Sequence, residues 1–461
     1  MADLNDVLQM IHENRDRYVR ELAEFLKMES VSASAEKKSE TKACAEAVAG
    51  YLKGIGLEKV KLYPQKEPPG HPIVYGEWLK AEGAPTVLIY GHYDVQPVDP
   101  LELWTSPPFK PVVRDGKIFA RGATDDKGQL FTHIKSLEAY LAKMGRLPVN
   151  VKCLIEGEEE VGSPNLENFI RENAKLLKAD VVLISDSSML GKGMPSITYG
   201  VRGLTYLEVQ VTGPDHDLHS GSYGGPVDNP INVLAQMIAK LRSADGKILI
   251  PGFYDDVAEL TKEERAFFRD IPFDEAAYKK ELKVAALGGE AGYTVYEKLW
   301  ARPTLDCNGI LGGYTGEGAK TVLPSKAMAK ISMRLVPNQR CDKIAKLAID
   351  YIKKIAPKSV KVEVKELHGG NPYVAPLKGR GMKAAACAME KAFGVKCRFN
   401  REGGSIPIVV VFKEVLGIDT IFMGFGLNDE RAHSPNECFD LDNFHRGIVA
   451  SACFMDLYAG A

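Results

Sequence analysis

The segment "YGHYDVQPVD", residues 90–99, closes an apolar run with His92 and Asp94, an imidazole and a carboxylate two positions apart. A neutral imidazole can ligate a metal or carry a proton, and a carboxylate beside it can fix its orientation. Taken alone, such a pair is more often a hydrogen-bonded strand end than a ligand. "GATDDKGQ" sets Asp125 and Asp126 in a glycine-flanked loop before a helix, where they either cap its free amides or present oxygen ligands. "IEGEEEVGS" crowds Glu156, Glu158, Glu159 and Glu160 together. Such charges raise one another's pKa unless a cation lies among them or they fan into solvent. Asp186 ends "VVLISD", and His433 follows "FMGFGLNDERA". Singly, each has a plain structural reading. Together, two histidines and several carboxylates form the mixed donor set that zinc favours and manganese or cobalt accepts. Two ions about 3.5–4 Å apart need a carboxylate between them and activate water for hydrolysis. One carboxylate must then stay unliganded to take the water's proton.

Apart from Asp125 and Asp126, these residues lie where an apolar strand runs out. "APTVLIYGHYD", "VNVKCLIEGEEE" and "ADVVLISDSS" read as buried strands ending at polar residues, and "QLFTHIKSLEAYLAKMG" has helical spacing with Gly145 as its C-terminal cap. This alternation predicts an α/β domain with a mostly parallel sheet flanked by helices. Ligand crevices in such sheets open beyond the carboxyl ends of the strands. From residue 205 to 375 the texture changes: alternating patterns such as "LTYLEVQVTG" and "AMAKISMRLVPN" flank helical stretches near 229–243 and 256–283. That is a separate, inserted α+β domain. The first domain is therefore expected to be discontinuous, 1–204 and 376–461, with the helix "GRGMKAAACAMEKAFG" and the strand before His433 in its second part.

Composition sets the wider bounds. A chain of 461 residues with 45% apolar side chains buries a large core and divides into two or three domains. Lys plus Arg at 59 against Asp plus Glu at 61 argues against nucleic acid or an anionic membrane surface as the partner and leaves a small molecule. The opening "MADLNDVLQMIHENRDRYVRELAEFL" reads as an amphipathic helix without a signal pattern, so a soluble, cytoplasmic protein is expected. Eight cysteines (44, 153, 307, 341, 387, 397, 438, 453) stand singly, without the CxxC pairs of thiolate zinc sites, and are expected to be reduced and mostly buried.

"GHYDVQPVD", "GRGATDDKG", "EGEEEVGS", "ISD", "DLHSGSYGG", "REGGSIPI" and "AHSPNE", in this order over residues 90–437, resemble the motifs of the co-catalytic di-metal peptidases. That family includes carnosinases, cytosolic nonspecific dipeptidases, glutamate-releasing carboxypeptidases and related deacylases, and the resemblance is nearest to the dipeptidase branch. It implies one metal held by His92, Asp125 and Asp186 and a second by Asp125, Glu160 and His433, with Asp125 bridging. It makes Asp94 the carboxylate that orients His92, Glu159 the general base acting on a metal-bridging water, and Asp126 a support of its loop. His219 in "DHDLHSG" matches the oxyanion-stabilising histidine, and Arg334 in "SMRLVPN" the ligand of the substrate's terminal carboxylate. Thr321 matches a further substrate contact, and Gly403, Gly404 and Ser405 stand before an apolar run, at a turn whose amides can receive a carboxylate or whose glycines simply make it tight. In this family the inserted domain is a lid and dimerisation domain, and His219 and Thr321 reach the neighbouring subunit's site.

The resemblance thus implies a homodimeric metallopeptidase, with two divalent ions per subunit, that cleaves dipeptides or short peptides bearing a free C-terminal carboxylate. An N-acyl amino acid deacylase or desuccinylase would use the same centre and leave the motifs unchanged. A noncatalytic metal-dependent scaffold is a more distant reading, against which an unliganded Glu159 speaks. His12, His71, His133, His368 and His445 receive no support from the motifs and are read as structural or surface residues.

Overall fold

The computed structural model describes residues 3–65, 69–404 and 406–460. The chain forms two compact units: one of residues 1–199, 375–400 and 411–461, the other of residues 200–374 and 401–410. The stretch 401–410, downstream of the expected return at 376, thus belongs with the second unit.

The first unit is built on a mixed sheet. Its strands run in the order Glu58–Tyr63, Ile73–Trp78, Asn150–Glu156, Thr86–His92, Val181–Ile184, Asp419–Phe422 and Ser196–Val201. Asn150–Glu156, Thr86–His92, Val181–Ile184 and Asp419–Phe422 are mutually parallel, and antiparallel strands flank them. The parallel ladder is therefore confined to the centre. Strands Thr86–His92, Asn150–Glu156 and Val181–Ile184 are buried along nearly their whole length because both of their faces are covered, as parallel sheets require.

Helix Lys127–Met144 packs on strand Thr86–His92 and against helices Leu4–Glu13, Arg15–Leu26 and Leu441–Gly460. Leu130, Phe131, Ile134 and Leu137 are fully buried there. Each such side chain contributes about 1.5–3 kcal/mol. This burial anchors the helix and the Asp125 loop that precedes it. The helix stops at Gly145, whose φ of 65° lies in the left-handed region and whose N–H donates to Leu141. The N-terminal segment, which reads as one helix, is two, broken at Asn14, whose side chain donates to the Met10 carbonyl and accepts from Arg17. An asparagine that satisfies backbone groups locally competes with the helix ladder.

The second unit holds an antiparallel sheet in the order Thr304–Gly312, Lys326–Leu335, Gly203–Thr212, Lys361–Gly370. Gly203–Thr212 alternates buried and half-buried residues, and the buried face meets helices Pro230–Ala239 and Cys341–Ile355. The helical stretch expected over 256–283 is Lys262–Asp270 and Glu275–Leu282, divided around Pro272.

Candidate metal centre and substrate residues

Each central parallel strand leads into one part of a cluster at its carboxyl end. His92 is the last residue of Thr86–His92 and is fully buried. Its Nδ1 lies 3.3 Å from Asp94 Oδ1 and 3.1 Å from the Asp94 carbonyl, which leaves Nε2 to face outward from the strand. Nε2 is 3.1 Å from Asp125 Oδ1 and 3.7 Å from Asp186 Oδ2. The other oxygen of Asp125 is 2.8 Å from His433 Nε2, which is in turn 3.3 Å from Glu160 Oε2. Two donor triads result, His92–Asp125–Asp186 and Asp125–Glu160–His433, each with its ligand atoms within 4.8 Å of one another. Asp125 gives one oxygen to each.

The acidic run resolves into distinct jobs. Glu156 accepts from Tyr90 Oη at 2.5 Å and from Ser163 Oγ at 2.8 Å, and Glu158 accepts from Asn165 at 2.8 Å. Both are buried, so the run is not a solvated turn. Glu160 turns toward His433 and also accepts from Gln96 Nε2 at 2.8 Å. Among the described residues, Glu159 alone of the four carboxylates has no protein hydrogen-bond donor. Its backbone N–H donates to Asp94 Oδ1 at 3.3 Å and that of Glu160 to Oδ2 at 3.1 Å. Asp94 therefore braces His92 and the loop of Glu159 and Glu160 at once.

The Asp125 loop is held from beneath. Asp126 precedes the helix but makes no side-chain capping bond; its Oδ2 accepts from the His92 N–H at 3.2 Å, so the capping reading of this residue does not hold. Gly91 permits that approach, since a Cβ there would stand 2.8 Å from Asp126 Oδ2. Sequence reasoning missed Gln96, and it missed Glu437, a fully buried carboxylate that accepts from the amides of Gly122, Thr124 and Asp125 and from Arg121. Both lie inside the quoted motifs, but nothing in spacing distinguishes a residue that holds a loop from one that turns it.

Electrostatics mark this cluster as a cation site. Burial pushes Asp186 up to about 7, with Asp125 adding to the effect. Burial, then the neighbouring Asp186, Asp125 and Glu160, holds Glu159 well above the usual carboxylate range in spite of His92. Hydrogen bonds to Asp125 and Glu160 raise His433 to about 10. For His92, burial alone would depress the imidazole, but Asp125 and Asp94 carry it well above its ordinary value. Without a cation, protons must offset the crowded carboxylates. Two imidazoles and three carboxylates converging in this way fit a pair of divalent ions.

The remaining candidates lie in the second unit. His219 and Thr321 come together: Leu218–His219 pairs with Val322–Leu323, and the Ser220 N–H donates to the Thr321 carbonyl at 3.1 Å. Both are exposed. His219 Nδ1 accepts from the Gly221 N–H at 3.0 Å, which places the ring proton on Nε2. Arg334 sits opposite Leu204 in the sheet. Two residues before Leu204 is Arg202, a further residue missed in the sequence, whose Nε donates to the Gly403 carbonyl at 2.9 Å and whose N–H donates to the Gly404 carbonyl at 3.0 Å. Burial, with Arg334 beside it, pushes Arg202 down to about 10, and its buried Nη1 has no hydrogen-bond partner among the described residues. Ser405 lies outside the described residues. None of His12, His71, His133, His368 or His445 joins either triad.

The model of peptidase family M20/M25/M40 matches residues 88–456. A Cys-Gly metallodipeptidase of Schizosaccharomyces pombe is 36% identical over 96% of this chain and 96% of its own. The human Beta-Ala-His dipeptidase is 32% identical over 98% of this chain and 92% of its own. Among solved structures, an M20 family metallo-carboxypeptidase from Sulfolobus solfataricus superposes with a TM-score of 0.86 at 36% identity, over 96% of this chain and 99% of that one. Human carnosine dipeptidase 1 gives 0.84 at 32% identity, over the full length of both.

Proposed function

The chain belongs to peptidase family M20/M25/M40, and we propose that it is a dipeptidase acting on short peptides with a free C-terminal carboxylate. The observation that carries this reading is the sharing of Asp125 between two donor triads beside a glutamate, Glu159, that no hydrogen-bond donor among the described residues engages. His92, Asp125 and Asp186 would hold one divalent ion, and Asp125, Glu160 and His433 the other. Ions so placed polarise a scissile carbonyl and acidify water. Zinc suits the mixed imidazole and carboxylate donors best, and manganese or cobalt is accommodated by the same set.

The chain's own residues supply the rest. Glu159 takes the proton of the attacking water and delivers it to the leaving amine nitrogen. Asp94 fixes the Nε2-facing orientation of His92 and the backbone under Glu159. His219, with Nδ1 engaged by Gly221, presents an Nε2–H donor suited to a developing oxyanion. Arg334 offers a planar fork for the terminal carboxylate, with Gly404 as its companion.

The active form is a homodimer in which His219 and Thr321 serve the site of a second copy. Support comes from strand Thr304–Gly312 at the sheet's edge, where Ile310 and Leu311 are 58% and 63% exposed. No helix of the described residues is long and apolar enough to cross a membrane. All eight cysteines are unpaired, which favours the reducing cytoplasm as the compartment.

A substrate panel tests the reading: dipeptides, the same dipeptides amidated at the C-terminus, tripeptides and N-acyl amino acids, each before and after chelation and refilling with zinc or manganese. Chelator-sensitive hydrolysis of the free dipeptides, lost on amidation, is expected. Preference for acylated amines over dipeptides would overturn it.

A further inference from the structure

Glu437 makes a larger set of contacts to the Asp125 loop than any metal-facing residue does. Its Oε2 accepts from Arg121 Nη1 at 2.8 Å and the Gly122 N–H at 2.9 Å; its Oε1 accepts from the Thr124 N–H at 3.0 Å and the Asp125 N–H at 3.2 Å. The side chain is fully buried. The loop it holds precedes helix Lys127–Met144 and lies in no helix or strand, so the amides of Gly122, Thr124 and Asp125 have no ladder to join. Buried amides without acceptors are costly. A carboxylate presents two oxygens and about four lone-pair sites in one plane, and no neutral side chain supplies as many acceptors.

Glu437 also lies four residues after His433 in the chain. One short segment therefore touches Asp125 twice, through His433 Nε2 at Oδ2 and through Glu437 at the backbone N–H. We propose that Glu437 is a positioning residue that fixes the bridging carboxylate of Asp125 relative to His433, and so sets the affinity of the centre for its second ion. This rests on the di-metal reading of the site. Glu430 offers an internal comparison. It too is buried beneath the loop, but it reaches it through the Thr124 hydroxyl, at 2.8 Å, and spends its other bonds on the amides of Leu427 and Asp440. It supports the loop without touching Asp125.

The test compares Glu437→Gln, Glu437→Asp and Glu430→Gln with the unaltered chain, reading zinc affinity by chelator competition, kcat and KM on a dipeptide, and the melting temperature of the metal-free proteins. Glutamine keeps the shape but turns an NH2 toward amides that need an acceptor; aspartate keeps the charge but withdraws it. Glu437→Gln is expected to weaken zinc binding about 10–100-fold and to lower kcat with KM little changed. Glu437→Asp should fall between it and the unaltered chain, and remains readable should the glutamine variant not fold. Glu430→Gln should lower the melting temperature while zinc affinity stays within about threefold. The proposal is overturned if both Glu437 variants bind zinc as the unaltered chain does, or if Glu430→Gln weakens zinc as much as Glu437→Gln. Failure of the unaltered chain to bind zinc, manganese or cobalt would instead defeat the di-metal reading on which this rests.

Discussion

His92 and His219 are both strand-end histidines, and they differ in what surrounds them. His92 is fully buried, with Asp94 on one ring nitrogen and Asp125 and Asp186 near the other. His219 is exposed, and the hydrogen bond found for its ring is to the N–H of Gly221. The same contrast holds for the residues beside them: Asp125 is fixed through Glu437, whereas Thr321 lies at the exposed start of a two-residue strand pairing. The first unit has its candidate metal-binding groups in a hydrogen-bonded frame that is buried or half-buried at His92, Asp125, Asp186 and Glu160 and exposed at His433. The second presents exposed groups, which in the proposed homodimer would gain their geometry when substrate and a second copy arrive. Under that proposal, binding energy would be available for closure, as in lids that complete a site around substrate.

The largest break in this contrast is expected from Asp125→Asn, which removes the one carboxylate common to both triads. Metal analysis should show the content falling from about two ions per chain to one or fewer, and turnover falling by more than about 10⁴-fold. Glu159→Gln should separate chemistry from metal binding: turnover drops about 10²–10⁴-fold while the ions stay. His219→Ala, in the other unit, should cost about 10²–10³-fold in kcat and leave metal content unchanged. Loss of metal in that variant would blur the division drawn between the units. Arg334→Lys keeps the charge but loses the fork; KM should rise about tenfold with kcat nearly constant, as expected for one lost bond to a charged group.

A smaller effect tests how acid limits the rigid unit. Burial pushes His445 down from 6.5 to about 4, with His12 beside it adding to the effect; its Nε2 lies 2.7 Å from His12 Nδ1 between the first and last helices. Because the folded value is depressed, unfolded chains bind the proton first, so this stabilisation is complete above about 6.5 and is lost as pH falls toward 4. Relative to the unaltered chain, His445→Gln should therefore gain stability as pH falls over that window, read as the difference in melting temperature between the two metal-free proteins.

The parts legible in sequence share a physical basis. His92, Glu159, Glu160 and Asp186 follow apolar strands, and a strand that stops at polar residues in an α/β alternation already announces a crevice. Gly145 was readable because a helix that ends needs a left-handed residue. The break at Asn14 was not, since one side chain decides there against a favourable apolar period. Nor were Glu437 and Arg202 readable. Glu437 acts on amides over three hundred positions away in sequence, and Arg202 acts on Gly403 and Gly404 about two hundred positions away. Periodicity carries no information about such pairs. The grouping of 401–410 with the second unit has the same origin, because it follows from contacts such as those of Arg202 rather than from chain order.

The most direct test of the account is metal content and dipeptide turnover measured side by side on the unaltered chain and on Glu159→Gln. The account predicts about two divalent ions per chain in both proteins, with hydrolysis in the first and almost none in the second. Comparable turnover in the two, or hydrolysis that survives complete removal of metal, would contradict it.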